Sequence, residues 1–455
     1  FKRLWISSLE DSAIRDGFQH LRDSSEFDRL YEAALSRSKA DWIVGINGTR
    51  LFSTLYHKKL VVGRVQTPTL AMLVERDGKI TTFRKEKYFN VHIQKDSLKA
   101  SLEKLKTEEE AKRIAEACDK KQASVSSLKK ERKTVNPPKL YDLTTLQREA
   151  NRYFSFTAQQ TLDLVQSLYE KKLLTYPRTD SQFITDDMEG TVRQVISILC
   201  RKLPLFDGVA YTPDIDRISN NAKVTDHHAI LPTVQVEKLD IAELPESEQK
   251  ILRLVATRLI CATGEKHIYD ETTMTVSCEG SLFTAKGKTV VQDGWKGIEL
   301  RFKATLKSKE KEEPETVLPE VTEGDILQNV VSSVSEHFTS PPKAFTEDTL
   351  LSAMESAGNE AFDDETEKKG LGTPATRAGI IEKLVKGGFA ERKGKSLIPT
   401  KDGLNLVCVL PEQITSPAMT AEWENTLMQI ERGNADADAF LSGIAAMTSE
   451  LVKAY

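Results

Sequence analysis

The sequence is poor in the features that define several classes of protein. It contains five cysteines, at positions 118, 200, 261, 278 and 408, and no Cys-x-x-Cys pair. A zinc ribbon and a dense disulfide framework are therefore disfavoured, and a reducing cytoplasm is the expected location. We find no apolar run long enough to cross a bilayer and no signal peptide, so no membrane partner is expected.

The sequence also lacks an excess of positive charge. Its 455 residues include 64 lysines and arginines against 68 aspartates and glutamates, which gives a formal net charge of −4. Because nucleic-acid-binding proteins usually have a basic balance, this composition is mild evidence against DNA, and any DNA site must be a local basic groove. Hydrophobic residues at 39% and charged residues at 29% are typical of a soluble globular protein. The length suggests about three domains.

Residues 173–181 form the most informative stretch of the chain, Leu-Leu-Thr-Tyr-Pro-Arg-Thr-Asp-Ser. The preceding segment, 157–170, begins with the Thr-x-x-Gln spacing of a capping box and predicts a helix. A short buried strand follows, and Pro177 then turns the chain. Tyr176 is thereby held at the end of an element, with Arg178 two residues later.

This pair of side chains suits attack on a phosphodiester. The oxygen of Tyr176 can serve as nucleophile, and the planar guanidinium of Arg178 can hold the phosphate oxygens. For an isolated Tyr-x-Arg, a packed strand tyrosine beside a solvated arginine would be the ordinary interpretation. With its flanks, however, the stretch closely resembles the active-site segment of the type IA DNA topoisomerases, especially the bacterial topoisomerase III branch. The resemblance implies that Tyr176 attacks one DNA strand and becomes linked to the 5′-phosphate of the cut end.

Two earlier segments resemble the same family. Residues 36–50 place cations on one side of a helix that also carries Trp42, and the ordinary interpretation is a solvated face with a core tryptophan. Residues 62–70 place polar side chains beside a predicted helix over residues 71–76, whose N-terminal amides could hold a phosphate. The family contacts single-stranded DNA with such a basic Ala-Asp-Trp helix and the following Gly-Arg-Val-Gln-Thr-Pro segment. The residues expected here to bind DNA are Arg37, Lys39, Arg50, Arg64, Gln66 and Thr67.

A second constellation contains the adjacent histidines His227 and His228. Adjacent histidines point in different directions, so without nearby cysteines they are a poor zinc signal, and polar residues before a turn are the ordinary alternative. The sequence Asp-His-His-Ala-Ile-x-Pro-Thr resembles a topoisomerase III motif, which implies that His227 lies near the scissile phosphate. A histidine that titrates near neutrality could donate a hydrogen bond or supply positive charge there. The further DNA contacts expected around the tyrosine and histidine are Thr179, Asp180, Ser181 and His228.

The rest of the chain alternates between helical and β-rich blocks. Residues 9–36 are predicted to be helical. Strands are predicted on both sides of the tyrosine segment, and the last of them covers residues 298–302. We interpret the two β-rich blocks as one domain that the chain leaves and re-enters.

An internal repeat suggests two related helical domains. Pro-Pro-Lys, an aromatic residue and Thr-Leu occur in residues 137–146 and again in residues 341–350, at a constant offset of 204 (341 − 137 and 349 − 145). After the second copy, residues 370–379 open a helix, and a hairpin with a basic tip follows. This is a winged-helix pattern, which can bind DNA or serve as a scaffold. The family has the same Gly-x-Gly-Thr-x-Ala-Thr-Arg-Ala segment, and the DNA contacts expected from it are Thr373, Thr376 and Arg377.

We therefore predict an α+β multidomain protein with the type IA topoisomerase torus, in which winged-helix-like helical domains are joined by a β-rich arch. The predicted divisions are 1–6 (last strand of a truncated toprim domain), 7–81 and 341–455 (helical base), 82–139 and 266–340 (arch), and 140–265 (catalytic tyrosine domain). The resemblance implies a monomer that cuts single-stranded DNA, passes a strand and reseals the cut without ATP.

One part of the family pattern is not found. The family begins with a toprim domain whose Asp-x-Asp-x-x-Gly-Glu cluster binds Mg²⁺ and manages the proton transfers. No such cluster occurs here, so we predict no metal ligand in this chain and expect it to be inactive alone, because a tyrosine has a reference pKa of about 10. Two other classes stay open. One is a non-catalytic winged-helix DNA-binding scaffold. The other is a tyrosine recombinase, which leaves a 3′ link and is disfavoured because no His-x-x-Arg precedes the tyrosine.

Overall fold

The computed structural model describes residues 1–6, 11–208, 212–224, 226–306, 317–360 and 370–455. We divide these residues into a base unit (1–81 and 341–455), an arch (82–139 and 266–340) and a tyrosine unit (140–265). Short 3₁₀ turns connect several of the longer elements.

The elements follow one another in this order. The base unit begins with β1 (Lys2–Arg3), α1 (Asp11–Gln19), β2 (Arg22–Asp23), α2 (Asp28–Leu55) and α3 (Gln66–Thr81). The arch begins with β3 (Lys87–Lys95), β4 (Leu98–Leu105), α4 (Glu108–Cys118) and β5 (Ala123–Val135). The tyrosine unit contains α5 (Leu143–Phe154), α6 (Ala158–Glu170), α7 (Glu189–Lys202) and α8 (Glu246–Ala262). The arch continues with β6 (His267–Cys278), β7 (Ser281–Gln292), α9 (Trp295–Thr305), β8 (Ile326–Leu327) and β9 (Val331–Phe338). The base unit ends with β10 (Phe345–Thr346), α10 (Glu347–Ser356), α11 (Pro374–Lys386), β11 (Ala390–Lys393), β12 (Ser396–Pro399), α12 (Lys401–Val409), α13 (Glu412–Thr415), α14 (Ala418–Arg432) and α15 (Ala437–Ala454).

The arch is a seven-stranded antiparallel sheet in the order β8-β5-β6-β7-β4-β3-β9. One face of the sheet is apolar and packs against α4, with Val91, Val125, Met274 and Phe283 in the buried layer. Strands from both chain segments are interleaved within this one sheet. The β-rich blocks on the two sides of the tyrosine segment therefore share a single hydrophobic core.

The prediction of a strand over residues 298–302 is wrong. These residues lie in α9, where Trp295, Ile298 and Phe302 recur at helical spacing. All three side chains are buried, and they join the hydrophobic core of the tyrosine unit. The apolar periodicity therefore belongs to a helix that packs on a neighbouring unit and not to a sheet.

The prediction of one helix over residues 9–36 is also wrong. The first helix, α1, ends at Gln19, and β2 then pairs with β1. Asp23 caps a short 3₁₀ turn with both hydrogen bonds of a capping box, and α2 begins only at Asp28. Residues 9 and 10 lie outside the described part of the chain.

The internal repeat corresponds to two winged-helix-like folds. In each copy a helix begins two residues after the repeated aromatic residue, as α5 in one copy and α10 in the other. A second helix of 13 residues follows, α6 or α11, and each is preceded by a threonine that forms a capping box. The strands pair in the same way in both copies. The backbone pair Tyr141–Ile230 of the tyrosine unit matches Phe345–Leu397 of the base unit. In the same way, Leu174–Pro232 matches Ala390–Pro399.

The two copies differ at the wing. In the base unit, β11 and β12 are joined by a tight turn at Gly394, whose φ is +61°. In the tyrosine unit, the strand that matches β11 ends after Leu174, and its partner returns only at residues 229–232. The insertion between them begins with the tyrosine segment and ends with the two histidines. Tyr176 thereby occupies the position that Arg392 has in the other copy.

Candidate active site

The position of Tyr176 is fixed by the helix that precedes it. The predicted capping box is present: Thr157 Oγ1 accepts from the Gln160 amide at 3.0 Å, and Gln160 Oε1 accepts from the Thr157 amide at 2.9 Å. At the other end of α6, Lys172 turns the chain with a φ of +61°, where the base-unit copy has a glycine. Leu174 then lies buried in the short strand that leads to the tyrosine.

The tyrosine segment is joined along its length to the histidine segment. The Thr175 amide donates to the Leu231 carbonyl at 2.9 Å, and the Thr175 hydroxyl donates to the Ala229 carbonyl at 3.0 Å. The Thr179 hydroxyl donates to the carbonyl of His227 at 2.9 Å. Two motifs about fifty residues apart in sequence are therefore held side by side by backbone and threonine hydrogen bonds.

His227 lies directly against the ring of Tyr176. The ring centroids are 4.4 Å apart with an interplanar angle of 41°, and Tyr169 contacts the other side of Tyr176 edge-on at 5.4 Å. Burial lowers the pKa of His227, although the charges of Asp226 and Asp180 oppose this shift. The neutral imidazole is therefore favoured at neutral pH, so His227 is better suited to donate a hydrogen bond than to supply a fixed positive charge.

These side chains line a cleft of about 820 Å³ between the tyrosine unit and the base unit. Arg178 is exposed in this cleft and has no hydrogen-bond or ion-pair partner among the described residues. The lining also includes Trp5, Tyr31 and the first turn of α11. The cleft thus presents a phenol, an unpaired guanidinium and an imidazole to one space.

Several residues predicted to bind DNA are occupied inside the protein. The side chain of Arg64 is only 6% exposed, with Nε 2.7 Å from Asp41 Oδ1 and Nη1 3.2 Å from Glu424 Oε1. The same glutamate holds Arg37. The Thr67 side chain is buried and accepts from the Gly63 amide at 3.0 Å. In this conformation these groups brace α2 and α3 against α14, and their contact with DNA stays a prediction.

Several other residues predicted to bind DNA form hydrogen bonds within the protein, in the tyrosine loop or at the start of α11. The Ser181 hydroxyl donates to the Lys223 carbonyl at 2.8 Å, and the buried His228 bonds through Nδ1 to the Ala229 carbonyl at 2.8 Å. Arg377 is 1% exposed and donates from Nη1 to the Thr144 hydroxyl at 2.9 Å. Four of the residues predicted to bind DNA are buried: Thr179, Ser181, His228 and Arg377. Gln66 is half-buried, and five of the predicted residues are exposed: Lys39, Arg50, Asp180, Thr373 and Thr376.

The relationship to known proteins agrees with this geometry. A family model described as DNA topoisomerase matches residues 25–442. The chain belongs to this family. It is 38% identical over 480 residues to DNA topoisomerase 3 of Bacillus licheniformis and to that of Bacillus subtilis, with 99% of this chain and 64% of each relative covered. The chain thus spans about two-thirds of their length.

The fold agrees with a solved structure of the same class. Full-length topoisomerase I from Thermotoga maritima matches with a TM-score of 0.77 at 24% identity, over 99% of this chain and 72% of that chain. The predicted α+β multidomain fold and the resemblance to the bacterial type IA topoisomerase III branch are both confirmed. Among the described residues, no helix has the length and apolar content needed to cross a membrane.

The magnesium ion of the family has no evident set of ligands in the described residues. Two carboxylates, Asp180 and Asp226, line the cleft. No group of three or more histidine, cysteine, aspartate or glutamate side chains that could hold a metal occurs in the ranges that the structure describes. These residues do not converge on a metal site, and no step below involves one.

One surface of α2 was not predicted from the sequence. Trp42, expected in a core, is 68% exposed. The same helix face also exposes Tyr31, Leu35 and Ile46. Together with Trp42, these residues follow one another at steps of four, seven and four. We call these four side chains the α2 stripe. The helical spacing of large apolar residues in a lysine- and arginine-containing helix was the available signal, and the ordinary interpretation had placed only Trp42 in a core.

Proposed function

We propose that this chain is the tyrosine-bearing core of a type IA topoisomerase that cuts and reseals a single DNA strand. The phenol of Tyr176 loses its proton to solvent and its oxygen attacks a backbone phosphorus. A phosphotyrosine bond to the 5′-phosphate forms, and the 3′-oxygen leaves and takes up a proton from solvent. The reverse attack by the 3′-hydroxyl reseals the strand. One phosphodiester is exchanged for another, so no ATP is needed. The observation that carries this proposal is the convergence of Tyr176, Arg178 and His227 on one cleft.

Each of the three side chains has a distinct role in this proposal. Arg178 is free in the cleft, and its planar fork can bind two phosphate oxygens and stabilise the charge that develops on them. His227, neutral and packed on the tyrosine ring, holds that ring in place and can donate a hydrogen bond to the phosphate. The hydrogen bonds of Thr175 and Thr179 keep both groups in fixed register.

The α2 stripe supports single-stranded DNA as the substrate. Tyr31 lines the active-site cleft, and the stripe continues to Ile46 about 22 Å further along the helix. The exposed cations Lys39 and Arg50 flank it. Stacked bases and neutralised phosphates are the usual elements of a sequence-independent single-strand track. We therefore propose that a strand runs along α2 into the cleft, with the protein acting as a monomer.

The first prediction tests the nucleophile. The protein, extended by the upstream sequence of its gene and supplied with Mg²⁺, should form a covalent adduct with a radiolabelled single-stranded oligonucleotide. Tyr176→Phe should abolish this adduct, because only the attacking oxygen is removed. Binding of the oligonucleotide, measured by fluorescence anisotropy, should be retained.

Tyr169→Phe is the matched control, because its ring touches Tyr176 and the same single oxygen is lost. This variant should form the adduct. An adduct that persists in Tyr176→Phe, or one linked to the 3′ end, would contradict the proposal, and the 3′ link would favour a recombinase. Binding by the wild-type protein without any adduct would favour the non-catalytic scaffold.

A further inference from the structure

The tyrosine unit and the base unit share very little apolar surface. The core of the tyrosine unit contains side chains from that unit and from α9, and the core of the base unit is built from α3, α10, α11, α12 and their neighbours. Among the described buried residues, Ala158 is the only side chain of the tyrosine unit within the base-unit core. The two units can therefore separate without exposing a large hydrophobic area.

The contact between the units is made instead largely by polar groups. Arg377 of α11 bonds to Thr144, and Lys395 bonds to the Arg152 carbonyl. The largest set of these contacts joins α5 and α10, the first helices of the two repeat copies.

Asp348, in the first turn of α10, is 11% exposed in its side chain and receives two arginines from α5. Arg148 donates from Nε at 3.0 Å, and Arg152 donates from Nε at 3.1 Å and from Nη2 at 2.9 Å. The Asp348 amide also donates to Asn151 Oδ1 at 3.2 Å.

Glu347, the neighbouring residue, crosses the same interface. Its side chain is 4% exposed, and Oε2 accepts from the backbone amide of Ala158 at the start of α6. Arg392 holds the other carboxylate oxygen at 2.8 Å. A carboxylate at a helix N-terminus is stabilised by the free amides and the helix dipole. The base unit thus caps the helix that leads to Tyr176 with Glu347, and this glutamate is held by Arg392, which occupies the tyrosine's position in the second repeat copy.

We infer that Glu347 and Asp348 form the closing contact that holds the tyrosine unit against the base unit, and that breaking it separates the units while the arch keeps them connected. The inference assigns a positioning role to both carboxylates for the reaction proposed above. The closed form is held by charges that water can solvate again in the open form, so its free-energy advantage is small. Removal of the Asp348 carboxylate takes away the partner that Arg148 and Arg152 share inside the closed interface. Removal of the Glu347 carboxylate leaves the amide of Ala158 without its acceptor, and both changes favour the open form.

The experiment measures the separation of the units directly and needs no DNA cleavage. Spin labels are attached to the exposed Cys408 in the base unit and to a cysteine placed at the exposed Lys238 in the tyrosine unit, with the half-buried Cys200 replaced by alanine. Pulsed electron resonance then gives the distribution of distances. We expect Asp348→Asn to increase the longer-distance population about fivefold, and Asp348→Glu to restore most of the closed form.

Glu336→Gln is the matched control, because it also removes one negative charge from an ion pair, that of Lys87 and Glu336 within the arch. It should leave the distances unchanged. If Asp348→Asn does not fold, as judged by circular dichroism, Glu347→Gln is measured in its place, with the same expected shift. Two results would overturn the inference. One is a folded variant whose distances match those of the wild type at every salt concentration between about 50 and 500 mM. The other is an equal shift in Glu336→Gln. The distance measurement does not depend on whether Tyr176 forms an adduct with DNA. Failure of the inference and failure of the proposed chemistry are therefore distinguishable.

Discussion

Asp142 shows at the scale of one residue how burial changes a side chain beside the active site. Its carboxylate caps α5, where Oδ1 accepts from the Thr145 amide at 2.7 Å, and Oδ2 accepts from Gln182 Nε2 at 2.9 Å. Gln182 lies just past the tyrosine segment, so the cap also restrains that loop. Burial raises the pKa of Asp142 to about 6, against the lowering effect of the hydrogen bonds from Thr145, and the charge of Glu355 adds to the rise.

The raised pKa predicts how Asp142→Asn changes stability with pH. Because the folded pKa lies above the unfolded one, the folded state binds the extra proton. This contribution to stability is fully present below about pH 4 and is lost as the pH rises through about 6. Asparagine keeps a neutral cap, so the variant should be more stable than the wild type by about 1–3 kcal/mol at about pH 8 and should lose this advantage at about pH 4.5. The measurement is the thermal midpoint by circular dichroism across this range.

Asp436→Asn provides the control, because Asp436 caps α15 in the same way but is exposed. Its midpoint should follow the wild type at every pH. Parallel curves for Asp142→Asn and the wild type would show that Asp142 does not carry a raised pKa.

The helix α2 shows at the scale of one element how two faces serve different purposes. One face packs against α14 and α15 through Ala40, Val44 and Trp423. The α2 stripe lies on the solvent side. A helix that is apolar on two sides without a partner on one of them marks an interaction surface.

For α2 we predict that Trp42→Ala weakens binding of single-stranded DNA without unfolding the protein. Loss of one base-stacking aromatic costs about 1–3 kcal/mol, so the dissociation constant from fluorescence anisotropy should rise about 5- to 100-fold. Because Trp42 is 68% exposed, the melting temperature should change little. Phe18→Ala, an exposed aromatic of α1, is the control and should bind normally. Equal affinity of Trp42→Ala and the wild type would remove the stripe from the strand path.

At the scale of the whole molecule, the arrangement of the units decides which side chains share the cleft. The tyrosine unit is connected to the base unit through the arch, a cleft lies between the two units, and polar contacts of α10 with α5 and α6 also join them. The cleft brings together Tyr176, Arg178 and His227. Within the described residues, it does not bring together a set of acidic ligands for a metal.

The corresponding prediction is that these 455 residues fold but do not relax negatively supercoiled plasmid in the presence of Mg²⁺. Positioning and Arg178 remain, while general acid–base catalysis alone is typically worth about 10²–10⁴-fold. The assay is agarose-gel relaxation beside a protein that carries the upstream sequence of its gene. Relaxation by the 455-residue chain that disappears in Tyr176→Phe would show that the acid and metal site lie within these residues.

The sequence by itself determined the features that depend on neighbouring residues. The capping box before α6, the tyrosine at the end of a short strand and the basic-tipped hairpin all follow from local hydrogen bonding and periodicity, and each is present. The repeat with its offset of 204 was also visible, because related folds retain their caps and aromatic anchors. The family resemblance followed from the same local motifs.

Only the tertiary structure decided which side chains are accessible and which distant ones meet. Arg64 was predicted to bind DNA, and the ordinary interpretation put Trp42 in a core. In the structure Arg64 is buried in ion pairs and Trp42 is exposed, because exposure depends on what packs against α2 and α3 from the end of the chain. The helical conformation of α9 depends likewise on the tyrosine unit beneath it. The contact of His227 with Tyr176, and the capping of α6 by Glu347, join segments that are far apart in sequence, and no local pattern encodes such a meeting.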